Sequence, residues 1–311
     1  MATTSASPSF IDPQVLLQIA SLELRARHVV EGFWSGLHRS PYHGFSVEFT
    51  EYRQYTPGDD PRHLDWRLYA RSDRFYVKRF EDETNLRCLL LLDASRSMEF
   101  AGAGYSKFDY ARTLAATLGF FLMEQRDAVG LARFSRGIDS YLPPRYRTGH
   151  WRRLLVALEE PCTGRATELA PPLEQAAEQL TKRGLLVLIS DLLAPLERVE
   201  LSLGYLTARG QEVLVFQVLD PAELTFAFDR PELFEDLETG RELYVDPAGI
   251  RRDYLRRIGE HLEQVETVCS RLGATYRRLT TDMPLGDALG NLLQARTRSR
   301  DRRSAAGSRR R

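Results

Sequence analysis

The residues best placed to do chemistry lie at the end of an apolar run. In CLLLLDASRSMEF, residues 88–100, five apolar positions stop at Asp93, and hydroxyls follow at Ser95 and Ser97. Oxygens that alternate around a tight turn can face one centre. Two later segments add to them. TGRATELAPPLEQA offers Thr167 just before an expected helix, and LLVLIS ends directly at Asp191. Asp93, Ser95, Ser97, Thr167 and Asp191 make an all-oxygen set of two carboxylates and three hydroxyls. Such hard donors suit Mg²⁺ or Mn²⁺ and not zinc. Two unpaired carboxylates ~4 Å apart would repel by about 4 kcal/mol at an effective dielectric near 20, and a divalent cation between them reverses that sign. Capping is the competing explanation, because Asp and Ser often close the first turn of a helix. Thr167 and Asp191 at the ends of later elements favour the metal.

Other chemistries fit less well. A Walker A loop needs GxxxxGK[ST], and the nearest text, GAGYSKFD, places Lys107 between Ser106 and Phe108. Its glycines suit a turn before a helix. A phosphoryl-accepting aspartate loop would carry a second acid where Ser95 stands. GxSxG, HExxH and a GxGxxG after a strand are all missing. The six histidines are scattered, His28 falling on the outside of an expected helix. Ser95 and Ser97 have no evident base to activate them. The chain is therefore expected to bind and not to catalyse. A metal-dependent phosphoester hydrolase at the same residues is the alternative, and nucleic-acid binding by an Arg-rich tail is a third reading.

The elements that must position these residues follow from hydrophobic period. Apolar strands are expected at 87–93, 128–134, 185–190, 212–219 and 275–279. Helices are expected between them, near 148–159, 170–182, 195–209, 250–272 and 284–295. In the first intervening helix Phe108, Ala111, Ala115, Leu118 and Leu122 step by three and four, so one face packs on a sheet. Strands alternating with helices predict an α/β fold, a mainly parallel sheet with helices on both faces. Ligands then bind beyond the C-terminal strand ends, where Asp93 and Asp191 fall. TFAFDRPELFEDLETGRELYVD suggests a hairpin insertion near 222–246 turning at Thr239-Gly240. An N-terminal helix over Asp12–Glu31 follows from Val15, Leu16, Ile19, Leu22 and Val29. Gly36 to Asn85, rich in Gly, Pro, aromatics and Arg, predicts a small β-rich segment.

The expected organisation is a flexible start at 1–14, the helix and β-rich region at 15–85, the sheet domain at 86–295, and a disordered basic tail at 296–311. Lys+Arg and Asp+Glu are both 43, so the whole chain carries no net charge to favour nucleic acid or an anionic membrane. Three cysteines without a CxxC pair suggest reduced thiols, Cys88 being a small core residue. No stretch reaches the ~20 apolar residues of a membrane helix, and the N-terminus lacks a signal-peptide pattern. A cytoplasmic protein is expected.

DASRS, then Thr167, then Asp191 on an α/β sheet resembles the metal-ion-dependent adhesion site of von Willebrand factor A domains. The resemblance implies direct metal contacts from Ser95, Ser97 and Thr167, and direct or water-bridged ones from Asp93 and Asp191. Thr163 is the rival for the Thr role. The sequence departs at Leu192, where many such domains have Gly. The segment from VEFTEYRQYTPGDDPRHLDW to LLLLDASRSM, with VLISDLL, FEDLETGRELYVDP and LTTDMPLGDAL, resembles the bacterial family called "domain of unknown function 58". That family implies a metal-dependent adaptor or co-chaperone of a MoxR-type AAA+ ATPase, with an acidic partner residue completing the metal's coordination. The GDDPRHLDW block itself is expected to form an internal salt-bridge network that pins the β-rich segment, with partner docking as the alternative.

Overall fold

The computed structural model describes residues 12–39, 52–54, 76–78, 86–102, 104–162, 164, 168–238 and 240–292. The GDDPRHLDW block, Thr167, Thr163 and the Arg-rich tail lie outside these residues. Two compact units divide the chain, one at Leu37–Asn85 and one made from what precedes and follows it. In the smaller unit, β1 (Tyr52–Gln54) and β2 (Tyr76–Lys78) pair antiparallel, Tyr52 opposite Lys78.

The larger unit is built on β3 (Arg87–Asp93), β4 (Ala128–Phe134), β5 (Ile138–Arg145), β6 (Leu185–Ser190), β7 (Glu212–Leu219) and, after the hairpin strands β8 (Glu232–Glu235) and β9 (Glu242–Val245), β10 (Thr275–Thr280). The sheet order is β10-β7-β6-β3-β4-β5. Neighbours are parallel except β4 and β5. β3 is central: Leu90 lies opposite Leu131 on one side and Val187 on the other. Because it is covered on both faces, β3 is apolar at every position from Cys88 to Leu92, all wholly or almost wholly buried.

Helices cover both faces. One face carries α5 (Ala170–Gln179), α6 (Glu197–Ala208) and α8 (Pro247–Arg271), whose Leu173, Leu203 and Val265 join Leu89, Leu91, Leu186 and Leu188 in one core. The other carries α3 (Lys107–Glu124), whose Phe108, Ala111, Ala115, Leu118 and Leu122 are all buried, as their spacing predicts. Phe33 and Trp34 pack on Phe121 of this helix. The chain thus adopts the expected α/β architecture, a mainly parallel sheet between helical layers. α4 (His150–Glu159) and a last helix, α9 (286–292), fall where helices are expected, and α7 (Pro221–Thr225) opens the hairpin insertion.

Two features differ from expectation. The N-terminal helix is two helices, α1 (Pro13–Leu17) and α2 (Leu22–Arg39). Ser21 Oγ accepts the Leu24 N–H, a cap that starts α2 afresh. The buried Arg25 guanidinium then takes the carbonyls of Leu17 at 2.9 Å and Ile19 at 2.5 Å, which a continuous helix would have used itself. The second is β5, an antiparallel edge strand that carries Pro143 and Pro144. Edge position tolerates proline. The register shifts between Val129 and Leu131, and there Gly130 lets β5 approach: a Cβ would meet Pro144 N at 2.6 Å and Leu142 O at 2.7 Å.

Candidate metal centre

From β3 the chain moves outward to β4, then returns past β3 to β6 on the other side. β3 and β6 are parallel neighbours, so Asp93 and Asp191 come to one rim where the strand order reverses. Such a switch point leaves a crevice at the C-terminal strand ends.

Asp93 is fully buried. Its Oδ1 accepts the Ser95 N–H at 3.0 Å, tightening the turn, and its Oδ2 accepts the Ser190 hydroxyl at 2.5 Å. The backbone then enters a single 3₁₀ turn, Arg96–Glu99, preceded by Ser95. Ser95 Oγ makes no capping bond to that turn. It lies 3.1 Å from Ser97 Oγ instead. Part of the capping explanation holds for Asp93, but the two hydroxyls are turned toward each other and not onto the backbone. Thr167 lies outside the described residues. Gly164, on the same loop, pairs its backbone with Ser95 in a parallel bridge. A Cβ there would lie 2.2 Å from Ser135 Cβ, so Gly164 sits hard against Ser135 at the rim.

Asp191 is also buried, and its Oδ2 accepts Lys107 Nζ at 2.9 Å. The same ammonium reaches Glu223 Oε1 at 2.6 Å. Lys107, at the start of α3, and Ser190 and Glu223 were not among the sequence candidates, yet they complete the polar contacts of the rim. After Asp191, Leu192 has φ of +54°, the left-handed region where Gly is preferred. Its N–H reaches Ser190 Oγ at 3.0 Å, and its carbonyl accepts His261 Nε2–H at 2.7 Å. Gln217 donates to the Asp191 carbonyl at 2.8 Å and accepts Tyr276 Oη–H at 2.6 Å. The rim backbone is therefore held from β7, α8 and β10, and the loop takes its Gly-like geometry without a Gly.

Burial, and then the charge of Asp191, push the Asp93 carboxyl up to about 7, against the bonds from Ser190 and Ser95. Burial alone would lower Lys107, but Asp191 and Glu223 outweigh it and push the ammonium up to about 12. Burial raises Glu223, with Lys107 opposing. Asp191 and Glu223 thus share the Lys107 ammonium, while Asp93 is held by the Ser190 hydroxyl and the Ser95 N–H. The residues that could hold a metal are Asp93, Ser95, Ser97 and Asp191. Among the described residues, no three His, Cys, Asp or Glu converge as a metal site, so hydroxyls would have to supply part of any shell.

A family model described as "Protein of unknown function DUF58" matches residues 51–264, well over half of the chain. The chain belongs to this DUF58 family. Among its relatives, an uncharacterised protein of Mycobacterium tuberculosis, Rv1480, is 29% identical over 87% of this chain and 86% of its own. One from Mycobacterium bovis, Mb1516, matches equally. Solved structures similar to this DUF58 chain include an aerotolerance-related membrane protein from Bacteroides fragilis, at 16% identity and TM-score 0.46, covering 68% of this chain and 98% of that one. At that likeness the fold rests on the sheet order and register described above. No helix among the described residues is long and apolar enough to cross a membrane.

Proposed function

We propose that this chain is a metal-dependent protein-binding module, an adaptor or co-chaperone of a MoxR-type AAA+ ATPase working in the cytoplasm. The observation that carries the metal reading is the pair of hydroxyls at the rim. Ser95 Oγ and Ser97 Oγ are 3.1 Å apart and free of capping duty. Two neighbouring oxygens of octahedral Mg²⁺ lie about 2.9 Å apart, given metal–oxygen distances of about 2.0–2.1 Å. The donor chemistry agrees, since every candidate atom is a hard oxygen. A divalent cation held there would offer an open coordination position to a partner's Asp or Glu.

The chain's own residues do the rest. Asp93, tied by Ser190 and the Ser95 N–H, fixes the turn that presents both hydroxyls. Asp191, directly after β6, is close enough for its charge to act on Asp93. The ATPase partner comes to this chain from its family resemblance, and an acidic side chain is what the rim would select.

The test is thermal unfolding in chelator and across a Mg²⁺ or Mn²⁺ titration, for the native chain and a Ser95→Ala/Ser97→Ala double variant. At 100-fold over Kd the metal should add about 2.7 kcal/mol to the native chain and nothing to the variant. A co-purified MoxR-type ATPase should be retained with metal and released by chelator. Equal shifts in both proteins would remove the metal from these serines. Retention unaffected by chelator would remove it from the interface.

A further inference from the structure

Lys107 is a lysine buried to 1% exposure at a rim read as a cation site. Burying an ammonium is costly unless it is paired. Here one charge is divided between two carboxylates on different elements, Asp191 after β6 and Glu223 in α7. The division is uneven, 2.9 Å to Asp191 and 2.6 Å to Glu223. Glu223 is itself held in place: its Oε2 accepts the Asp220 N–H at 2.8 Å in a capping box that starts α7. Asp220 in turn takes the Gly102 N–H at 3.0 Å and the Thr281 hydroxyl at 3.3 Å. Lys107 therefore has a second, rigidly mounted acceptor besides the candidate ligand.

We propose that Lys107 is the built-in counter-ion of this site: it neutralises Asp191 when no divalent cation is present and passes wholly to Glu223 when one binds. This rests on the metal reading above. The electrostatic logic is direct. Asp191 and Asp93, both buried on adjacent strands, would repel if left bare. An ammonium on Asp191 removes that cost in the metal-free state and so keeps the rim folded and assembled. The same ammonium must give up Asp191 to Glu223 once a second cation arrives. Lys107 thus lowers the site's affinity for metal while preserving its shape. A monovalent ion brings no more charge than the ammonium already supplies, so the exchange favours divalent cations. The counter-ion also couples the rim to α7 and the hairpin that follows it, through Glu223.

The experiment compares the native chain with Lys107→Met by calorimetric Mg²⁺ titration and by melting in chelator and in metal. Methionine keeps the stem's volume without the charge. The expected variant melts lower in chelator, binds Mg²⁺ at least tenfold more tightly, which is about 1.4 kcal/mol, and gains a larger upward shift in melting temperature from metal. Equal or weaker binding by a folded Lys107→Met overturns the counter-ion role while leaving the metal reading intact if the native chain binds. Binding by neither protein overturns both. Should the variant fail to fold, ¹⁵N-lysine NMR of the native chain decides. It has three lysines, and Lys107 alone carries a buried, doubly paired ammonium among those described. Its Nζ resonance should move on Mg²⁺ addition. A calorimetrically saturated chain with an unmoved Lys107 resonance overturns the proposal, as does a chain without Mg²⁺ binding.

Discussion

At the scale of the residue, Leu192 shows two opposed contributions meeting at one position. Its left-handed backbone costs a residue with a Cβ about 1–2 kcal/mol, yet its side chain is buried against the core under α6 and α8. Truncating such a leucine costs about 2–5 kcal/mol. Leu192→Gly is therefore expected to lower stability in urea unfolding by about 1–3 kcal/mol, despite relieving the backbone. A more stable Leu192→Gly would mean that the strain outweighs the packing. The site was legible in sequence to the extent that its oxygens end apolar runs: Asp93 and Asp191 stop β3 and β6, and the serines follow by alternation. Lys107 was not legible. A buried lysine and a solvated one look alike in a sequence, and its partner Glu223 is 116 residues away. Ser190 was hidden because it closes an otherwise apolar strand, where a hydroxyl passes for a terminus.

At the scale of the element, apolar content located β3, β4, β6 and β7 to the residue, since strands buried on both faces have no polar alternation to blur their ends. β5 escaped because it is half-exposed and carries two prolines, the opposite signature. The N-terminal break escaped because Val15, Leu16, Ile19 and Leu22 keep a helical spacing across it, although Val15 is in fact exposed. What decides the break is a tertiary tie, Arg25 to the carbonyls of Leu17 and Ile19, with Thr113 on α3 at 3.4 Å. Hydrogen bonds from a charged group contribute about 1.5–3 kcal/mol. Arg25→Met, which keeps the stem but not the donors, should cost about 2–3 kcal/mol in denaturant unfolding. A loss below about 0.5 kcal/mol would show that Ser21 alone sets the boundary.

At the scale of the whole molecule, the site and the insertion belong to regions of very different cohesion. The rim is anchored on β3 and β6, which have a parallel neighbour on each side and helices over both faces. The β8–β9 pair is a separate two-stranded sheet with Leu233, Leu243 and Tyr244 exposed. A lone hairpin is marginal in water. It is held by a small aromatic cluster, Phe226 against Tyr254 at 4.5 Å and Phe228 against Phe234 at 5.0 Å between ring centres. Local opening should therefore free the hairpin long before the sheet. In native-state hydrogen exchange, the ladder amides of β3 and β6 should exchange only by global unfolding, whereas those of β8–β9 should exchange at least about a hundredfold faster, each tenfold being about 1.4 kcal/mol. Phe226→Ala should widen that gap by loosening the hairpin while leaving β3 protection nearly unchanged. Equal protection in hairpin and sheet would make them one cooperative unit, and the link from Glu223 through α7 to the hairpin would then act as a rigid strut and not as a joint.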